Sequence, residues 1–338
     1  MNEKPTYTLE TGMLGELGSF WEGDRTPLTY LDPKTESMAK KPVLQSFKEG
    51  GILDEQGNIM SSFASTLNTL ATPVRIITIT FSGEEKESTI TTIFSRESDA
   101  VTMLHGDDGT VAFGESLKTD WVISQFGMEG NNATRLQSWM IPATFNEMKV
   151  LLALCDLSWE LPIGREIPSG ENISTFSNGF DADEVEVMLK RAETIPGSTV
   201  FSSLPGLVQE DEGTPVKRVK TILNALVKKR SVSEENGKYL PNDVIIPYCN
   251  GFGIPKTVIQ IAISEWDPER GVIRSTDTIS SLSEHCAITI EKPWELNGNM
   301  RLYLTDASVI SALIKTLFSG NSSKPLEIIG AESLFSQD

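Results

Sequence analysis

The sequence predicts an α+β protein made of two diverged copies of one unit, each copy helices plus an antiparallel β-meander, with a quasi-two-fold relation between them. Three observations carry this expectation. One order of helix, turn and helix occurs twice, a β-rich run follows each occurrence, and helical apolar periodicity brackets those runs. In the first half, Leu44 and Phe47 lead to Ile52-Leu53, then the turn Asp54-Glu55-Gln56-Gly57-Asn58, then an apolar-periodic stretch ending at Pro73. In the second half, Leu223 and Leu226 lead to Val232, then Glu234-Glu235-Asn236-Gly237-Lys238, then a stretch ending at Pro255. Residues 40–126 and 219–318 are therefore expected to share one order of elements.

Each copy opens with a helical candidate carrying a tryptophan near its end, over residues 9–21 (Trp21) and 145–159 (Trp159). After Pro73 comes a strand over 74–81, in which Ile77, Ile79 and Phe81 alternate; after Pro255 comes its counterpart over 257–264, with Ile259, Ile261 and Ile263. Both strands turn through a charged tip. The first tip is Gly83-Glu84-Glu85-Lys86-Glu87, and the second is Trp266-Asp267-Pro268-Glu269-Arg270-Gly271. Return strands are expected at 88–94 and 272–276, third strands at 100–104 and 287–290, and fourth strands at 111–113 and 300–304. Helices should follow both meanders, behind Thr119-Asp120 over 121–126 and behind Thr305-Asp306 over 307–318.

The second copy holds an insertion at about 164–213. Within it Asp181-Ala182-Asp183-Glu184 has the spacing of a capping box, ahead of an apolar stripe of Val185, Met188, Leu189 and Ala192. A helix is predicted from Pro215, with Val219, Ile222, Leu223, Leu226 and Val227 inward and Lys228-Lys229-Arg230 at its end. The 338 residues fit two units of ordinary size, drawn as 1–140 and 141–318, with a loosely ordered tail at 319–338.

A formal charge of -18 repels phosphate backbones and anionic lipids, so neither nucleic acid nor a membrane surface is the expected partner. The basic run at Lys228-Lys229-Arg230 complements a helix C-terminus instead. The first residues lack the apolar core of a signal peptide, and no later stretch offers the ~20 apolar residues of a membrane span. Cys155, Cys249 and Cys286 are too few and scattered for a disulfide framework, which suits a reducing cytoplasm.

Catalytic signatures are missing from the sequence. His105 and His285 lie in no nucleophile or metal setting, and the adjacent His285-Cys286 would point to opposite faces of a strand. No serine elbow and no phosphate-binding glycine loop occurs; Asn250-Gly251-Phe252-Gly253 reads as a turn. Zinc spacing is absent. The acidic clusters at Asp181, Asp183 and Glu184 and at Asp107-Asp108 lack calcium-loop spacing. No catalytic, cofactor-binding or metal-binding residue is assigned.

The order Leu44-x-x-Phe47, Gly51-Ile52-Leu53-Asp54, Gly57, an apolar helix, Pro73 and then strands with a charged hairpin resembles the EspG chaperone family of type VII secretion. It spans residues 40–115, with an echo at 220–305. The resemblance implies an intracellular, non-enzymatic protein of two quasi-two-fold halves that binds secreted substrate heterodimers through an extended hairpin and helices. Carried onto this chain, it marks the hairpin tips: Glu84 in the first copy, and Trp266, Asp267, Pro268 and Arg270 in the second. Trp266 on such a tip reads as an interface aromatic, with folding back onto its own sheet as the alternative. Three functional readings follow: a cytoplasmic, chaperone-like protein-binding module, a winged-helix DNA-binding regulator, and an enzyme whose site is assembled only in space. Against the second, residues 61–70 contain no Lys or Arg.

Overall fold

In the computed structural model, which describes residues 7–31, 41–83, 86–96, 99–106, 108–115, 137–164, 179–194, 218–246, 248–249, 257–282, 286–293, 299–306, 309–310 and 332–333, the chain is α+β. Its strands are β1 (Tyr7–Glu10), β2 (Arg75–Gly83), β3 (Lys86–Arg96), β4 (Asp99–His105), β5 (Thr110–Glu115), β6 (Trp139–Thr144), β7 (Val232–Glu235), β8 (Lys238–Pro241), β9 (Thr257–Asp267), β10 (Val272–Leu282), β11 (Cys286–Pro293), β12 (Asn299–Asp306) and β13 (Glu332–Ser333). Its helices are α1 (Leu14–Leu17), α2 (Lys41–Glu49), α3 (Ser61–Ala71), α4 (Phe145–Gly164), α5 (Ala182–Thr194) and α6 (Val219–Lys228). The helix expected from Pro215 is described only from Arg218, and the helices expected at 121–126 and 307–318 lie outside the described residues but for Val309 and Ile310.

Two units make up the chain: Met1–Val122 with Gln260–Asp277, and Ile123–Ile259 with Thr278–Asp338. The end of the β9–β10 hairpin counts with the first unit, where β9 borders β2.

In the first unit the strands run β1-β5-β4-β3-β2-β9-β10, and β2 to β5 form the expected antiparallel meander with Ile77 opposite Ile93 and Ile93 opposite Thr102. Successive β2 residues point to opposite faces, yet both Ile76 and Ile77 are buried, so this strand is enclosed on both sides. One face packs Ile76, Phe94, Met103 and Phe113 against Phe47, Phe63, Leu67 and Leu70 of α2 and α3. The helix expected over 9–21 is shortened at its start: Tyr7 and Leu9 alternate inward on β1 and pair with β5, and Thr11–Phe20 is helical as two 3-10 turns, Thr11–Met13 and Gly18–Phe20, flanking the four-residue α1. At Gly18 a Cβ would meet the Leu31 backbone oxygen at 3.0 Å, so glycine eases the close approach of residue 31 to this turn.

In the second unit β11, β12 and β6 run antiparallel, and β13 joins β6 in parallel. Two residues of the expected loose tail are thus a strand. The long α4 buries every residue from Met148 to Cys155, Lys149 included, whose Nζ sits 4.8 Å from the Phe145 ring centre. Its start is a capping box, with Thr144 N–H donating to Glu147 Oε2 at 2.7 Å and Glu147 N–H to Thr144 Oγ1 at 3.3 Å. The box predicted at Asp181 forms as well: Glu184 N–H donates to Asp181 Oδ1 at 2.9 Å, and Asp181 N–H to Glu184 Oε2 at 2.7 Å.

The ends of α2 and α6 close alike. Ile52 N–H donates to Phe47 O at 2.9 Å and Gly51 N–H to Lys48 O at 3.1 Å; Ser231 N–H donates to Leu226 O at 3.1 Å and Arg230 N–H to Val227 O at 2.9 Å. Each is a Schellman cap around a left-handed residue, Gly51 at φ 69° and Arg230 at φ 60°. Farther on, Met60 N–H returns to Ile52 O, and Asn242 N–H to Ser231 O. Between these points the first unit has only the bridge Leu53–Ile59, whereas the second has the whole β7–β8 hairpin turning on Asn236 and Gly237 at φ 51° and 77°.

Candidate partner-binding hairpin

The tip of the β9–β10 hairpin is organised by Asp267. Its Oδ1 accepts from the N–H groups of Glu269 and Arg270, both at 3.1 Å, and its carbonyl accepts from Gly271 N–H at 2.8 Å. Its other oxygen binds the Arg274 guanidinium and faces Arg270 Nε at 3.8 Å. An aspartate opening a turn, a proline after it and a glycine at φ 65° closing it are the residue types such a loop requires. Pro268, Glu269 and Arg270 are left exposed at the tip.

Trp266 lies at the end of β9 rather than on the loop. Its N–H donates to Val74 O at 2.9 Å, and its half-buried ring packs against the first unit's core. On the opposite face of the same strand, Glu265 pairs with Arg75 at 3.2 Å. The hydroxyls of Ser264 and Ser275 meet at 3.3 Å across the hairpin, which sets these residues opposite each other. Two steps along each strand then set Trp266 opposite Ile273 on one face. Ile273 is 40% exposed, and Val74 is also 40% exposed. The hairpin end therefore carries apolar surface from Trp266 and Ile273, with exposed Val74 bonded through its backbone to Trp266, beside a charged turn held by its own bonds.

Of the residues singled out in the sequence, Trp266, Asp267, Pro268 and Arg270 are thus together on one hairpin. Glu84 lies outside the described residues. Asp267 is turned into the loop it braces, with 18% of its side chain exposed. Ile273 and Val74 escaped sequence reading. The available signal was an isoleucine in register with Ser275 and Asp277, on the polar side of a strand.

The acidic clusters do other work. Asp181 and Glu184 bind Lys238 at 3.1 and 3.2 Å, and the Glu184 N–H followed by Lys238 holds the Asp181 carboxyl below its ordinary range. Asp108 accepts from Thr110 Oγ1 at 2.6 Å and is held low in the same way. Burial lowers the pKa of His105, the last residue of β4; His285 lies outside the described residues. Among the described residues, no group of three His, Cys, Asp or Glu side chains could hold a metal ion, and no helix is long and apolar enough to cross a membrane.

No protein-family model matches this chain, and no curated protein matches it. Among solved structures, it is similar to a chain of the Mycobacterium tuberculosis type VII secretion system chaperone EspG5 in complex with PE25-PPE41 dimer. The identity is 11% and the TM-score 0.47, over 93% of this chain and 96% of that one.

Proposed function

We propose that this chain is a non-enzymatic, cytoplasmic protein-binding module, a secretion chaperone-like adaptor that offers the end of its β9–β10 hairpin to another protein. The observation that carries the reading is the half-buried Trp266 beside exposed Ile273 and Val74, next to a turn whose conformation Asp267 fixes. A turn braced from within loses little freedom when it docks, and a tryptophan with area still to cover is a common interface anchor. The finer reading, that the partner is a secreted protein, draws on the sequence resemblance at 40–115 and its echo at 220–305. The same reading takes the two units as copies of one ancestor, supported by the matching helix ends.

Trp266 packs partly on its own core, so its truncation mixes lost stability with lost contact. Ile273→Asp separates them. An exposed strand residue should shift stability by no more than about 0.5 kcal/mol, while a docked one should weaken capture of the partner by roughly 1–2 kcal/mol. Affinity capture from the source cells, with melting measured in parallel, tests this. Undiminished capture by Ile273→Asp together with Arg270→Ala would remove the hairpin as the binding surface. The DNA-reading alternative is disfavoured by α3, which buries Phe63, Leu67 and Leu70 and carries no Lys or Arg to meet phosphates.

A further inference from the structure

The exposed apolar surface of the first unit does not stop at the hairpin. Residues 18–31 form a strap tied to the end of α3 and the start of β2: Thr29 Oγ1 donates to Leu70 O at 3.2 Å, and Thr26 Oγ1 to Pro73 O at 2.6 Å. Buried Leu28 and Leu31 anchor the strap, while Tyr30 between them stays 45% exposed, its ring edge-on to buried Phe94 at 5.1 Å between centroids. Val74 continues the line. Its N–H donates to Ser95 O, beside Phe94, and its carbonyl accepts from Trp266 N–H, both at 2.9 Å. Three of the six large apolar side chains exposed among the described residues, Tyr30, Val74 and Ile273, therefore lie on one line with Trp266. The line crosses β10, β9, β2 and β3, three strand spacings, and is roughly 14 Å long. Its flanks are acidic: Glu22 and Asp24 are exposed on the strap and Glu269 on the hairpin tip. The cations nearby are engaged, Arg25 with the carbonyls of Gly18 and Trp21, and Arg274 with Asp267, which exposed Arg270 also faces.

We propose that this strip, from Tyr30 on the strap to Ile273 on the hairpin, docks an amphipathic helix whose apolar face is flanked by Lys or Arg; the inference rests on the reading of the hairpin end as a binding surface. Each of β9, β2 and β3 has a hydrogen-bonded neighbour on both sides, so no strand edge lies open along the line for a partner to join as a further strand. The contacts must then come from side chains. A helix laid across the strand ends covers the line in about two and a half turns, and its side chains at i, i+4 and i+7 fall in a row of about 10 Å along it. The acidic flanks, on a chain of net charge -18, draw cationic side chains beside that row and repel anionic ones.

The probe is a dye-labelled synthetic helix with leucines at i, i+4 and i+7 and lysines beside them, compared with a counterpart carrying glutamates in place of the lysines. The full chain is titrated into each, and fluorescence anisotropy is read. The lysine peptide should bind at least about tenfold tighter than the glutamate peptide, with the advantage shrinking as salt is raised. Tyr30→Ala and Ile273→Asp should each weaken the lysine peptide about tenfold. Because Tyr30→Ala also removes a ring contact to Phe94, Glu22→Lys combined with Asp24→Lys serves as a second variant. At exposed positions it should leave melting unchanged and narrow the preference for the lysine peptide several-fold. Equal binding of the two peptides, or binding of neither, overturns the inference, as does binding that both Tyr30→Ala and the charge reversal leave untouched. A loss on Ile273→Asp alone overturns it as well while leaving the hairpin as the docking surface, so the two readings fail separately.

Discussion

The corners that follow α2 and α6 make the same six backbone hydrogen bonds with different residues. Phe47, Leu53 and Phe63 are buried in the first corner where Leu226, Val232 and Ile245 are buried in the second. Gly51 accepts the left-handed conformation freely, whereas Arg230 takes it at a cost of roughly 1–2 kcal/mol. The second corner offsets that cost with side chains the first lacks. Asn242 Nδ2 donates to Arg230 O at 2.9 Å while its Oδ1 accepts from Val244 N–H at 3.0 Å, and Lys229 reaches Glu147 at 2.7 Å. Met60, in the place of Asn242, makes no side-chain cap. What the two regions share is a path of the backbone; the chemistry that holds it is local to each.

The largest effects should come from the shared buried positions. Phe47→Ala should cost about 3–5 kcal/mol and Leu226→Ala about 2–5 kcal/mol in denaturant unfolding. A near-neutral Leu226→Ala would break the comparison at its centre. Next comes Glu147→Gln, which weakens both a capping bond and an ion pair that the first corner does not have, at roughly 1.5–3 kcal/mol at pH 7. Lys229 and the Thr144 N–H outweigh burial and hold the Glu147 pKa below its ordinary value. A depressed pKa contributes stability that is complete above the unfolded value and lost as pH falls through the folded one. The gap between wild type and Glu147→Gln should therefore be full at neutral pH and shrink below about pH 4.3. A gap unchanged at pH 3 would show that the carboxylate charge is not what matters. The smallest pair has opposite signs: Gly51→Ala should destabilise by about 1 kcal/mol, and Arg230→Gly should be neutral to stabilising by up to about 1 kcal/mol. Equal signs in thermal melts would mean that the two caps are not equivalent.

Elements whose signals are local were legible in the sequence. The capping box at Asp181, the apolar stripe of α6 and the alternation of β2 each rest on neighbours a few residues away. The strands β1 and β6 were not legible, because what makes them strands is pairing with β5 and β12, about a hundred residues or more along the chain. Two further local signals are present in the sequence. Thr144-Phe145-Asn146-Glu147 has capping-box spacing, and Asn236-Gly237 between Ser233 and Tyr239 is a two-residue hairpin turn, read only as a turn. At the β9–β10 hairpin, composition marked the loop but not the roles within it. Asp267 has the charge of a surface contact and the bonding of a turn brace, while Ile273 gains its interest only from standing opposite Trp266.

The place of β9 also bears on how the protein is made. Within the first unit β2 has β3 on one side and β9 on the other, and β9 leaves the ribosome about 180 residues after β2. At a synthesis rate of roughly 5–20 residues per second, a nascent chain carries that open edge, with Ile76, Ile77, Ile79 and Phe81 along the strand, for on the order of 10–40 s. Vectorial folding, in which an amino-terminal unit is finished before the next begins, is closed to this chain. Its first unit is completed only once residues 260–277 have emerged, after most of the second has already been translated.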